Sequence, residues 1–257
     1  PRRPSVLMDT LASLSLTRVG SHRPDLAYIF KHAVTQEVAY NLMLYSQRRQ
    51  LHQAVAEWIE ESNKNNIESS YGLLAYHWAQ AAEMPDSLRN HRAIRKATEY
   101  LEKAGEQAMN DYANQETVQF YTQALEWDSK LPKPENKHTI RDERLRQARW
   151  HSRIGLAHYG LGSLPDCDKH VREALWLLES PIPRSNLQLA LGLTPQIIRQ
   201  IYHRTFPARY VVPKEKERVV AIEVARLYEF MTRIYFYSNE KLPIIYTALR
   251  FLNEAER

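Results

Sequence analysis

The chain has 257 residues, of which 44% are apolar and 25% charged, and its formal net charge is +5. This length allows one large domain or two small ones with a sizeable core. Its seven glycines are few for a sheet-rich fold with tight turns or for a nucleotide-binding fold with glycine loops. Cys167 is the only cysteine, so an intrachain disulfide is excluded and a reducing, cytoplasmic location is expected.

Acidic and basic residues alternate along most segments, which is typical of solvated helix surfaces rather than of one basic face for nucleic acid. No apolar run approaches the roughly 18 residues that a membrane-spanning helix needs. A signal-peptide pattern is missing, and the first residue is Pro, which indicates a piece of a longer protein. We therefore expect a protein that does not contact a membrane.

Residues 1–32 predict the C-terminal part of a winged-helix unit. Residues 5–16 carry leucines at helical spacing, and two short extended pieces follow at 17–19 and 26–30. Gly20 and Pro24 mark the turn between these pieces. Tyr28 and Phe30 are expected to face inward from the second piece.

Residues 33–69 are predicted as connecting helices. Their apolar residues repeat at helical spacing in two stripes that are expected to be buried against neighbouring elements. The first stripe is Ala33, Val34, Val38 and Leu42, and the second is Leu51, Val55, Trp58 and Ile59.

Residues 70–180 predict tetratricopeptide-like helix pairs. A short helix ends near Met84, and two pairs follow, at 93–112 with 114–131 and at 142–161 with 164–178. In the first pair Gly105, Thr117, Tyr121 and Ala124 alternate small and large side chains, and in the second pair Gly155, Cys167, Val171 and Ala174 take their places. Because these glycines are 50 residues apart rather than about 34, the repeats are expected to be irregular.

Residues 181–213 contain five prolines and predict an inserted helical segment around an apolar helix at 197–202. Residues 214–257 predict a further pair, at 215–237 and 239–256, with Asn239 as N-cap. Such pairs stack into a right-handed curved solenoid. The predicted fold is therefore mainly α, a tetratricopeptide-like helical-hairpin solenoid with a partial winged helix at its N-terminus.

The sequence carries no motif for catalysis or metal binding. It has no GxxxxGK[ST] or GxGxxG phosphate loop, no HExxH and no GxSxG. His151 and His158 lie two helical turns apart, too far for joint metal binding from one face. Cys167 is expected at a packing position where a thiol is inert, and His77 beside Trp78 as a satisfied core histidine. We predict no catalytic, metal-binding or cofactor-binding residue.

Binding of nucleic acid is the main alternative function. It is suggested by two basic clusters, the second of which is interleaved with aromatic residues that could stack on bases. The clusters are Arg18, His22, Arg23 and Lys31, and Arg199, His203, Arg204 and Arg209 with Tyr202, Phe206 and Tyr210. The favoured interpretation is a charged rim over packed helices, because the charge is not confined to one face.

Residues 30–60, FKHAVTQEVAYNLMLYSQRRQLHQAVAEWIE, resemble a junction in AAA/STAND-type signalling ATPases linked to class III adenylyl/guanylyl cyclases. The family pattern is F-[KR]-H-A-L-x-[QR]-E-V-A-Y followed by R-R-x-L-H-x-x-[VI]-A. The matching residues are Phe30, His32, Ala33, Gln36, Glu37, Val38, Ala39, Tyr40, Arg48, Arg49, Leu51, His52 and Ala56. Val34 replaces a leucine of the pattern. Residues 73–126 are similar to the first tetratricopeptide-like repeats of this family, and residues 224–257 are similar to its later helical region in soluble adenylyl cyclase-like members.

The resemblance implies a regulatory region without catalysis of its own, downstream of an ATPase module and a cyclase. ATP and Mg²⁺ would be bound by those modules, since neither the cyclase aspartates nor the P-loop is in these residues. The junction motif would be structural. The alternative is the sensor region of an ATPase-type transcription regulator.

The expected partner is another protein or the parent protein's own catalytic modules. It is expected on the first helices of the pairs, at Asn110, Gln147, Arg153 and Arg226.

Overall fold

The computed structural model describes residues 4–21, 27–83, 90–205 and 215–256. Within these ranges the chain forms eleven α-helices and one two-stranded sheet, so the predicted mainly α class is confirmed. None of these helices is long and apolar enough to cross a membrane. Seven residues named in the predictions lie outside the described ranges, namely His22, Arg23, Pro24, Met84, Phe206, Arg209 and Tyr210.

The elements follow one another along the chain as a small helix-and-sheet unit and then a series of helices. They are α1 (Pro4–Ser13), β1 (Thr17–Ser21), β2 (Ala27–Phe30), α2 (Ala33–Leu42), α3 (Tyr45–Ser62), a 3-10 turn (Ile67–Ser70), α4 (Tyr71–Ala82), α5 (His91–Asn110), α6 (Asn114–Ser129), α7 (Lys137–Gly160), α8 (Leu164–Leu177), α9 (Asn186–Thr205), α10 (Glu215–Tyr237) and α11 (Lys241–Ala255).

The helix α2 follows the antiparallel pair β1–β2 but is hardly covered by it. Its apolar stripe was predicted to dock, yet Val34, Val38 and Leu42 are 69%, 53% and 80% exposed, and α2 buries no residue. Phe30, predicted to face inward, is 39% exposed. Both predictions are wrong because two short strands offer too little surface to cover a helix.

The buried face of α3 overlaps only partly with the predicted stripe. Leu51 and Trp58 are 44% and 63% exposed, whereas the buried face consists of His52, Ala56 and Ile59. The small Ala56 lets α4 approach closely, and hydrogen bonds satisfy the polar His52. The stripe prediction is therefore confirmed for Ile59 and in part for Val55, which packs against the core, but it is wrong for Leu51 and Trp58. Apolar periodicity alone could not predict a buried histidine.

Three helical hairpins, α5–α6, α7–α8 and α10–α11, make up most of the remaining structure. In the first two hairpins a glycine faces a larger side chain, as predicted. A Cβ added at Gly105 would lie 2.9 Å from the Tyr121 ring, and one at Gly155 would lie 2.7 Å from Cγ2 of Val171. The two helices of each hairpin therefore approach more closely than an alanine would allow.

The hairpin turns repeat one backbone motif. After α5, α7 and α10 the chain passes through Tyr112, Gly162 and Asn239, whose φ angles of 58°, 77° and 57° are left-handed. Backbone hydrogen bonds close each helix in the Schellman pattern, for example from Ala113 N–H to the Ala108 carbonyl at 2.8 Å. Asn239 therefore ends α10, and the prediction that it caps α11 is wrong.

Consecutive helices from α3 to α8 pack on one another, and α8 then packs on α10. The helix α9, which the sequence placed only at 197–202, extends over Asn186–Thr205 and packs on α11. A Cβ at Gly192 would lie 2.9 Å from Tyr246 of α11. The helix α7 also begins earlier than predicted, because the Asn136 side chain caps it by accepting from the His138 N–H.

The core has two clusters that share α7. Trp150 and Ile154 of α7 pack in the first cluster with Trp78 and Tyr121, while Ala148 belongs to the second. The second cluster otherwise comes from the segments between α8 and α11. The helix α7 therefore couples the two halves of the structure.

Substituting Gly155 by Ala should destabilise the fold even though Ala favours a helix by about 1 kcal/mol. The added Cβ would overlap Val171, and overpacking of a core costs about 1–3 kcal/mol. The control is Gly72→Ala in α4, where the nearest atom would be 3.7 Å away and about 0.4–1 kcal/mol of stabilisation is expected. Urea denaturation measures both, and a Gly155→Ala protein at least as stable as Gly72→Ala would contradict the close approach.

Candidate functional site

The junction-motif residues do not form one cluster. Gln36 and Glu37 are exposed on α2, and Leu51 is exposed on α3. His32 precedes α2, where its carbonyl accepts from the Thr35 and Gln36 N–H groups and its side chain makes no capping bond. Arg49 is half-buried in the first turns of α3.

Tyr40, Arg48 and His52 of the motif do come together, where α2, α3 and α4 meet. The Tyr40 hydroxyl lies 3.0 Å from Nε2 of His52, and Nδ1 of His52 lies 2.8 Å from Nδ1 of His77 on α4. The Arg48 guanidinium stands over the Tyr40 ring and donates to the carbonyls of Asn41 and Met43. These contacts connect three successive helices through polar groups. His77 is thus hydrogen-bonded, as predicted, although it is only half-buried.

Glu60, near the end of α3, forms a second polar link, which extends to α4 and α5. Its Oε1 accepts from Trp78 Nε1 at 3.1 Å, Lys96 Nζ at 3.2 Å and the Tyr100 hydroxyl at 2.8 Å. Burial alone would raise the pKa of Glu60, but the hydrogen bonds from Tyr100 and Lys96 outweigh it and lower that pKa. A charged carboxylate therefore joins α3, α4 and α5. This link could not be predicted from the sequence, because the donors are remote from Glu60 in the chain.

The helices α5, α7 and α10, which are the first helices of the three hairpins, carry the four residues predicted to bind a partner. Asn110, Arg153 and Arg226 are exposed, and Arg226 lies 3.7 Å from Glu223. Gln147 is half-buried and donates to Asp128 at 2.8 Å. Three of the four side chains are therefore accessible, while Gln147 is held in a contact between α6 and α7.

Asp128 is the acceptor that joins the first hairpin to the second. Its side chain is only 1% exposed, and it lies at the end of α6. Arg146 and Gln147, both on α7, donate to its two oxygens. A buried carboxylate is stable only when it is paired in this way, so α7 must keep its position on α6.

Three histidines meet between α7 and α8. Nδ1 of His151 lies 3.0 Å from Nδ1 of His170, and the His158 ring stacks on His170 with centroids 5.7 Å apart. Burial and, to a smaller extent, Lys169 lower the pKa of His151 to about 4. Burial, His151, His158 and Lys169 together lower the pKa of His170 to about 4, against an opposing effect of Asp166. Spacing on α7 alone could not reveal His170. Within the described ranges no set of three or more His, Cys, Asp or Glu side chains is arranged to hold a metal ion.

Cys167 is fully buried at the contact with Gly155, as predicted, and burial raises its thiol pKa to about 12.

The second basic cluster is partly neutralised by α11. Arg199 lies 3.9 Å from Glu254 and His203 lies 3.3 Å from Glu256. These pairs favour a charged rim over a phosphate-binding surface.

Comparison of the sequence with known protein families and with curated proteins, and of the fold with solved structures, finds no significant match. The resemblance to cyclase-linked ATPases therefore depends on the residues quoted above and stays a prediction.

The histidine pair should make the protein less stable in acid. A pKa near 4 in the folded chain and about 6.5 in the unfolded chain means that the unfolded chain binds more protons between these values. The free energy of unfolding should therefore be highest above pH 6.5 and fall as the pH drops toward 4. Denaturant titrations between pH 7 and 5 should show a shallower fall for His151→Gln than for the unsubstituted chain.

The matched control is His91→Gln, since His91 is exposed at the start of α5. This variant should follow the pH dependence of the unsubstituted chain. Equal slopes for all three proteins would show that the His151–His170 pair does not couple folding to protonation.

Proposed function

We propose that the chain is a non-catalytic regulatory and protein-interaction region of a signalling ATPase linked to a class III cyclase. In this proposal the helices form a tetratricopeptide-like solenoid that follows the end of a winged-helix unit. The observation that best supports this proposal is the repeated hairpin, in which a glycine faces a larger side chain at Gly105–Tyr121 and again at Gly155–Val171. Repeated hairpins of this kind stack into extended surfaces that bind other proteins.

The arrangement of the first helices supports a binding surface on α5, α7 and α10. The helix α7 contacts both α5 and α10, so the three helices lie side by side. Asn110, Arg153 and Arg226 are exposed on them. A partner that presents carboxylates would complement the two arginines.

The junction supplies a route for regulation. Arg48 ties the end of α2 to α3, and the chain of contacts from Tyr40 through His52 to His77 continues to α4. A displacement of the preceding unit would therefore act on the first helix of the stack. Nucleotide state in the ATPase module would change partner binding only through a difference in affinity between the two arrangements.

A second candidate is the sensor region of an ATPase-type transcription regulator. The same helices would then respond to a ligand, and a separate domain would bind DNA. The first basic cluster supports a nucleic-acid-linked role, since its described members Arg18 and Lys31 are both exposed. The full open reading frame separates the two candidates, since the first requires a cyclase and the second a helix-turn-helix domain.

Reversing the charges of Arg153 and Arg226 should weaken binding of the chain to the ATPase and cyclase modules of its own reading frame. Loss of two attractive contacts and gain of repulsion should reduce the affinity about tenfold or more. Biolayer interferometry with the immobilised chain measures this. The control is Arg204→Glu, an exposed cation on α9, which should bind as the unsubstituted chain does.

A reading frame without either module would overturn the assignment to cyclase-linked ATPases. No binding to the modules, together with unchanged parent activity when residues 1–257 are deleted, would overturn the regulatory role. ATP turnover by the purified chain would contradict a non-catalytic region.

A further inference from the structure

A cleft of about 520 Å³ opens where α7 and α10 begin and α8 ends. Its floor is apolar and consists of Ile140 and Leu145 of α7, Leu177 of α8 and Val220 of α10. This volume is in the range of pockets that take a ligand or a few side chains. The floor can therefore receive one or two aliphatic or aromatic groups.

The rim of the cleft is strongly basic. Lys137, Arg141 and Arg144 follow one face of α7 at its N-terminal end. Among the described residues that line the cleft, Glu179 is the one that carries a carboxylate. Cations are unfavourable at this end of a helix, because the backbone dipole already makes it positive. Among the ion pairs of the described residues, neither Lys137 nor Arg141 has a carboxylate partner. The rim therefore has positive charge left to bind an anion.

The end of α8 cannot supply that anion. Its last carbonyls accept backbone hydrogen bonds, from Ser180 N–H to Leu175 O at 2.8 Å and from Glu179 N–H to Trp176 O at 3.0 Å. This is the Schellman closure seen at the hairpin turns. The carbonyl groups at the negative end of the α8 dipole are therefore already hydrogen-bonded within the turn.

Glu179 occupies an unfavourable backbone conformation at the edge of the cleft. Its φ is 57°, a left-handed value that is unfavourable for a residue with a Cβ, which comes too close to the following carbonyl oxygen. Its carboxylate reaches Nη1 of Arg144 at 2.8 Å, although the Glu179 side chain is 80% exposed. The pairing of Glu179 with Arg144 thus indicates that Lys137 and Arg141 could each pair with a carboxylate in the same way.

We propose that this cleft binds an acidic peptide segment of a partner protein that carries an apolar anchor residue. The anchor lies on Ile140, Leu145, Leu177 and Val220, and flanking carboxylates pair with Lys137 and Arg141. Glu179 competes for Arg144 and so limits the affinity. The site is separate from the first-helix surface at Arg153 and Arg226, and it does not depend on the function proposed above.

A peptide fits the cleft better than a single-stranded nucleic acid does. Bases bind proteins mainly by stacking on aromatic side chains, and none of the described residues that line this cleft is aromatic. An aliphatic floor with cations around it suits an apolar side chain between carboxylates.

The test is fluorescence anisotropy of a short labelled peptide in which glutamates surround one leucine and one phenylalanine, titrated with the whole chain. Arg141→Glu should weaken binding about tenfold, because an attraction becomes a repulsion. Glu179→Gln should tighten binding about two- to fivefold, the size of one exposed ion pair. Methyl NMR of Ile140, Leu145 and Leu177 should show the largest shifts on peptide addition.

Three controls make the result specific. Arg153→Glu, outside the cleft, should bind the peptide as the unsubstituted chain does, which separates this site from the first-helix surface. The same peptide with lysine for glutamate should not bind. Absence of binding, equal affinity of the Arg141→Glu protein, or tighter binding of a single-stranded DNA that Arg141→Glu also abolishes would each overturn the proposal.

Discussion

The close approach of two helices within each hairpin is the constraint on which the rest of the structure depends. At Gly105 and Gly155 there is no room for a Cβ, because the Tyr121 ring and the Val171 side chain occupy that space. Dispersion and burial then act across the whole length of the paired helices. The left-handed residues Tyr112 and Gly162 close the turns so that each second helix returns at this distance.

Hydrogen-bonded polar side chains determine which helices pack against one another and in which position. Glu60 joins α3, α4 and α5, and Asp128 joins α6 to α7. Arg172 of α8 joins this helix to α10 by donating to the Tyr235 hydroxyl, while Asp168 of α8 holds the Arg172 guanidinium. Asn253 joins α11 to α9 by donating to Gln196. Apolar packing is tolerant of sliding, whereas a buried carboxylate or amide loses its partner when a helix shifts. These links therefore define the neighbours along which a displacement at the junction would pass.

The sequence predicted the helices and the contacts that depend on residue size. Gly105 with Tyr121 and Gly155 with Val171 and Cys167 were recognisable, because small and large residues alternate at helical spacing. The buried faces of α2 and α3 were not, since Val38 and Leu42 stay exposed and His52 is buried. Periodicity shows that a helix has an apolar side but not whether a neighbour covers it. For the same reason the contacts of Glu60 and His170 and the cleft at Arg141 could not be predicted, because each brings together residues that are remote from one another in the chain.

The proposed interaction role requires that the hairpins be rigid units held by the glycine contacts, and a double-mutant cycle at Gly155 and Val171 tests this most directly. Gly155→Ala, Val171→Ala and the double variant are compared by the free energy of unfolding. If the two residues touch as described, Val171→Ala should cost far less in the Gly155→Ala background, with a coupling of about 1 kcal/mol or more. Effects that add within about 0.3 kcal/mol would contradict the contact, and with it the account of the repeated hairpin.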